Sequence, residues 1–143
     1  MSTQRITIRS VEELVRLVDI LHDRDYDLEN LTYNAATGHV TISTSVVDEE
    51  PCDDKSSFFW KRKYSVRKAV LDISNVLEFV VADRAEIGIG DFNTISVEGD
   101  AIVIKGSLPV TLTAKVSSLL VTLEITDQEL RKVSGFRRDF LRS

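Results

Sequence analysis

One cysteine, two histidines, two prolines and one tryptophan in 143 residues are the scarcities of this sequence. The lone Cys52 allows no internal disulfide. It also sits among Glu49, Glu50, Asp53 and Asp54, whose charge suppresses the thiolate a nucleophile needs. His22 and His39 are too few for a rich metal centre and stand in no evident relation to a nucleophile. The longest apolar runs, such as Phe79–Ala82 and Leu119–Val121, fall far short of a bilayer span. The opening MSTQRITIRS has no apolar core of the kind a secretory signal carries. These features together give the expectation of a cytoplasmic protein.

What is present is β-branched. From Ala69 to Thr126 the chain is rich in Val, Ile and Thr, changes sides every second residue and is punctuated by Asn75, Gly88, Gly90, Gly99 and Gly106. That is the pattern of successive short antiparallel strands. Before it, Ile6 and Ile8 alternate with polar neighbours, and Ser10-Val-Glu-Glu13 has the spacing of a capping box. Val11, Leu14, Val15, Leu17, Val18 and Leu21 then recur at helical spacing and predict a helix over Val11–His22. Strands are predicted at Leu28–Tyr33 and His39–Val47, with Asn34–Gly38 as the turn and Leu31, Tyr33, Val40, Ile42 and Val46 facing the core.

Asp48–Ser57 reads as a polar loop. Beyond it, strands are predicted at Phe58–Val66, Val70–Ile73, Val76–Val81, Phe92–Glu98, Ala101–Lys105, Leu108–Val116 and Leu119–Thr126. Thr126-Asp-Gln-Glu129 repeats the capping-box spacing and predicts a C-terminal helix carrying Leu130, Val133, Phe136, Phe140 and Leu141. The expected architecture is one α+β domain over residues 1–143. It has a twisted, mainly antiparallel meander of about seven or eight strands, with the N-terminal helix on one face.

Catalytic and metal patterns are weak. Asp23-Arg-Asp25-Tyr-Asp27-Leu-Glu29 opens like a calcium loop but has Leu28 where glycine belongs and Asn34 in place of the closing glutamate. Gly88-Ile-Gly90 lacks a third glycine and a following helix. No spacing pairs two carboxylates for acid–base work. The chain is therefore expected not to be an enzyme, and no metal or cofactor is expected.

Charge is the informative polar feature. The net charge is −5. Residues 1–54 carry four basic and twelve acidic side chains, whereas residues 55–68 carry six basic and none acidic. Within that basic run, cations interleave with aromatics: Phe58, Phe59, Trp60, Lys61, Arg62, Lys63, Tyr64, Arg67 and Lys68. Trp, Tyr and Arg are the residues enriched at interface hot spots, and opposite charges on neighbouring segments suit self-association or docking. The expected function is a non-enzymatic protein-binding or scaffold domain whose partner is another protein or a second copy. The alternative is single-stranded nucleic-acid binding along residues 57–68, with rings stacking on bases. In that case Trp60, Tyr64 and Val66 would have to be free of the core. A third reading is a small apolar ligand between sheet and helix.

The order helix, His22-Asp23 and then LENLTYNAATGHVTISTSV as an alternating hairpin resembles small uncharacterised bacterial α+β domains. It is similar in particular to a His-Asp class of immunity proteins from polymorphic toxin systems. The resemblance implies an antiparallel sheet with helices and a role in binding rather than catalysis.

Overall fold

A computed structural model describes residues 3–50, 52 and 62–135. Its elements are β1 (Gln4–Ile8), α1 (Leu14–Leu21), β2 (Asp25–Asp27), a 3-10 turn at Leu28–Asn30, β3 (Thr32–Asn34) and β4 (His39–Val47). They continue with β5 (Arg62–Ile73), β6 (Val76–Asp83), β7 (Ile89–Asp91), β8 (Thr94–Glu98), β9 (Ala101–Lys105), β10 (Val110–Val116) and β11 (Val121–Gly135). The strands form a five-stranded sheet in the order β1-β11-β5-β4-β3, a four-stranded sheet in the order β6-β10-β9-β8, and the pair β2-β7. Every pairing is antiparallel.

Alternation explains the core. In the larger sheet Ile8, Val121, Ile73 and Val40 line up across four strands, and Ile6, Leu123, Leu71 and Ile42 form the next row. All eight are buried. In the smaller sheet the rows are Val97, Ile102, Ala114, Phe79 and Ile95, Ile104, Leu112, Val81. Both sheets and α1 contribute to one apolar cluster. Same-face neighbours of this kind are the unit of sheet stability.

The helix is shorter than the spacing predicts. Leu14, Leu17 and Leu21 are buried, but Val11 precedes the helix and Val15 faces water. Only half of the capping box forms. Glu13 Oε1 accepts from the Arg9 and Ser10 amides at 2.9 and 3.2 Å and from the Ser10 hydroxyl at 3.2 Å. The Arg9 amide first, then the Ser10 hydroxyl, holds the Glu13 carboxyl below its usual pKa.

Two expectations need correction. The described residues hold eleven strands rather than seven or eight. The extra ones include β2 and β7, which among the described residues pair with each other, even though β5 lowers the count by running unbroken where two strands are expected. The C-terminal helix is absent from Thr126–Gly135, which instead extends β11 along β5. The residues that suggested a cap are used by the sheet. The Thr126 hydroxyl donates to Lys68 O at 2.9 Å, and Glu129 accepts from the Ser65 hydroxyl at 2.6 Å and from Lys132 Nζ at 2.7 Å. Register shifts between Ile125 and Glu129 and between Glu129 and Arg131 absorb the extra length as bulges. Phe136, Phe140 and Leu141 lie outside the described residues.

The link from β5 to β6 is a corner, because these consecutive strands enter different sheets. Asn75 adopts a φ of 59°, a left-handed conformation that Asn tolerates. Its carbonyl accepts from Ser117 N at 3.0 Å and its side-chain amide donates to Ser118 Oγ at 2.8 Å. On either side, Ser74 N donates to Leu120 O and Val76 N to Gly38 O. A second polar anchor is buried Asp91, whose carboxylate accepts from Ser107 N, Ser107 Oγ and Leu108 N at 3.1, 2.6 and 3.0 Å. A Cβ on Gly106 would run into that carboxylate, so this position needs glycine.

Candidate binding surfaces

The basic run is split by the fold. Phe58, Phe59, Trp60 and Lys61 lie outside the described residues. Arg62 and Lys63 stand at the start of β5 opposite Gly135 and Ser134. The Tyr64 ring is only 4% exposed, so it offers no stacking face. Arg67 and Lys68, adjacent in sequence, point to opposite faces of the sheet. Arg67 is neutralised: its Nε lies 2.9 Å from both Asp48 carboxylate oxygens, and Nη1 donates to Asp127 O at 3.2 Å.

Lys68 lines instead a groove of about 510 Å³ together with Ser43, Ser45, Arg131, Asp25 and Asp27. Arg24 braces the same place, donating to Ser45 O at 3.2 Å and to Ser45 Oγ at 2.7 Å. Burial first, then the positive charge of Arg131, pushes the Arg24 pKa down. Lys68 and Arg131 form no ion pair among the described residues. Sequence reasoning missed Arg24, hidden in an acidic run, and Arg131, which had been placed on a helix. Pairing of β11 with β5 brings Arg131 to Lys68, and Arg24 arrives through its hydrogen bonds to Ser45, the β4 residue opposite Lys68.

A second cleft, of about 560 Å³, lies between α1 and the end of the larger sheet. Ile6, Ile20, Val46 and Ile125 give it apolar walls, and Asp19 and Glu49 are at its rim. This is the place where an apolar ligand between sheet and helix would sit.

The described residues hold two histidine–aspartate contacts. His39 Nδ1 is 3.0 Å from Asp72 Oδ2 and 3.5 Å from Ser74 Oγ. Both partners thus compete for one ring nitrogen, whereas a hydrolase triad needs the serine on the other. Ser74 and Thr41 hydroxyls also bind Asp72, which makes this a structural polar patch on the sheet. His22 Nδ1 is 3.2 Å from Asp23 Oδ2 without a directed hydrogen bond. Among the described residues no three His, Cys, Asp or Glu side chains converge to hold a metal. No helix among them is long and apolar enough to cross a membrane.

The feature that stands out is an edge. Sheet edges carry unpaired amides and carbonyls, and proteins blunt them with short length, polar side chains or a covering element. β3 is three residues long. β1 exposes Gln4, Arg5 and Thr7. β8 turns Ile95 inward, exposes Thr94 and Glu98, and packs beside α1. β6 is eight residues long and pairs only with β10 among the described residues. It exposes Leu77 (61%), Val80 (52%) and Val81 (40%), along with Ala82. Its Phe79 is half-buried against the core and meets the Tyr33 ring at 5.6 Å between centroids. The sequence marks Val76–Val81 as a strand but carries no sign that it is an outermost one. Compared with protein-family models, curated proteins and solved structures, the chain matches none.

Proposed function

We propose that this chain is a non-enzymatic protein-binding domain that docks its partner along the outer edge of β6. The observation that carries the reading is the exposed apolar run on that edge. Extended partners add to such edges through main-chain hydrogen bonds, while alternate side chains supply selectivity. The binding role implied by the resemblance to immunity proteins is of the same kind. The test places a photo-crosslinking residue at Leu77 or, on the guarded edge, at Thr94, in the intact chain within a lysate of its source cells. Defined adducts at 77 that disappear when Val80→Lys is added are expected. Equal labelling at 77 and 94, or none at either, would overturn the reading.

A second reading, single-stranded nucleic acid lying along the basic stretch, draws support from Lys68 and Arg131, whose charges lack ion-pair partners among the described residues. Buried Tyr64 leaves that reading dependent on Trp60 for stacking. Titration with an oligothymidylate, followed by Trp60 fluorescence, should show quenching that fades steeply as salt rises. No quenching at low salt would remove it.

A further inference from the structure

We infer that the groove beside Lys68 binds a small zwitterion, its anionic oxygens held by Lys68, Arg131 and serine hydroxyls and its ammonium group by Asp25 and Asp27. The site is separate from the β6 edge and does not depend on it. Its volume of about 510 Å³ falls in the range of small-molecule sites. Both signs of charge line it, Lys68 and Arg131 as well as Asp25 and Asp27. Yet no nitrogen of Lys68, Arg131 or Arg24 comes within 4.0 Å of an oxygen of either carboxylate. Charges that share a groove without neutralising one another are open to a ligand that carries both signs.

The anionic end is assembled from donors. Lysine and arginine side chains have no acceptor atoms, and among the described residues neither the Lys68 ammonium nor the Arg131 guanidinium makes a hydrogen bond. Ser45 lines the groove and is only 7% exposed. Its Oγ accepts from Arg24 Nη2 at 2.7 Å, and the hydroxyl proton is left without an acceptor. The Ser43 hydroxyl, two residues away on β4, makes no hydrogen bond either. A buried O–H with no acceptor costs free energy that an incoming oxygen recovers. Lys68 stands directly across from Ser45 in the β4–β5 ladder. Arg131 is near enough to Arg24 for the two positive charges to disfavour each other, a repulsion that a bound anion relieves.

The cationic end is mounted just as firmly. Asp25 and Asp27 flank buried Tyr26 on β2 and so project to one side of the strand. Thr44 ties that strand to β4, its hydroxyl donating to Asp25 O at 2.7 Å. Neither carboxylate accepts a hydrogen bond among the described residues. Two carboxylates repel a simple anion or a phosphate backbone, whereas an ammonium group satisfies them. Leu130, 44% exposed, also lines the groove and offers an apolar contact to the carbon chain joining the two ends of the ligand.

Amide chemical-shift titration of the isotopically labelled intact chain with ε-aminocaproate is expected to give saturable shifts at Ser43, Ser45 and Lys68, with a Kd of about 1 mM or below. Caproate and hexylammonium, each carrying one of the two charges, should bind at least ~10-fold more weakly. Lys68→Met should weaken the zwitterion by ~10-fold, and Arg131→Gln, a change at an exposed side chain, repeats the test should Lys68→Met unfold. Replacing both Asp25 and Asp27 by Asn should weaken ε-aminocaproate while strengthening caproate. Lys105→Gln, on β9 and outside the groove, should change neither. Caproate binding as tightly as ε-aminocaproate makes this a plain anion site and overturns the inference. Displacement of the zwitterion by an oligothymidylate makes the groove a track for a phosphate backbone and overturns it too. No saturable shift at those amides, or wild-type affinity in both cation variants, does the same.

Discussion

The two edges of the four-stranded sheet have opposite designs. β8 hides its apolar residues, is short and lies against α1, with the loop anchored by Asp91 close by in sequence. β6 is longer, shows apolar residues on both of its faces and has no second strand hydrogen-bonded to it among the described residues. Both belong to one hydrogen-bonded ladder and one core, so the difference does not come from the fold's need to close. Of the two edges of this sheet, β6 is the one that exposes large apolar side chains, and edges left bare in this way are where chains meet.

The largest effect separating the edges should come from placing the same charge in each. Ile95→Lys buries an ammonium beneath α1 and is expected to cost about 4 kcal/mol, measured by urea unfolding. Next comes Asp91→Ala, which strands the Ser107 and Leu108 amides and should cost about 3 kcal/mol in the same assay.

Acid should act on that anchor. Burial pushes the Asp91 carboxyl up, but the Ser107 hydroxyl and the Leu108 and Ser107 amides outweigh it and hold its pKa below the ordinary value. A carboxyl whose folded pKa is depressed contributes stability that is complete above the unfolded value, about pH 4, and is lost as pH falls through the folded one. The stability gap between wild type and Asp91→Asn should therefore shrink below about pH 4, as read by denaturant midpoints. The smallest effect on folding belongs to Val80→Lys, an exposed change expected to move stability by less than about 0.5 kcal/mol while abolishing association. Should it unfold the chain instead, the edge is part of the core and the contrast between β6 and β8 dissolves.

Legibility in the sequence followed side-chain periodicity. His39–Val47 and Ala101–Lys105 have the bounds the sequence predicts, because alternation in most of the first and a short β-branched run between Gly99 and Gly106 in the second leave one solution. β2 and β7 escaped notice because three residues cannot display a period. Thr126-x-x-Glu129 misled because a capping box and a bulged strand use the same side chains, and only the presence of Lys68 and Ser65 on β5 decides between them. The groove around Lys68 was out of reach for a related reason. Lys68 and Arg131 are far apart in the chain and line one groove because their strands pair, while Arg24 reaches it through side-chain hydrogen bonds to Ser45. Edge status is likewise a property of neighbours, invisible in VLEFVVAD itself.

The corner at Asn75 gives the β6 edge a short lever arm. Two residues separate the outermost strand of one sheet from the middle strand of the other, and bonds from Gly38, Ser117 and Ser118 pin that joint on several sides. Occupancy at the rim should thus be felt at the centre of the molecule. Amide protons near Leu71 and Ile73 should exchange with deuterium more slowly once the edge is filled, although no partner atom comes near them.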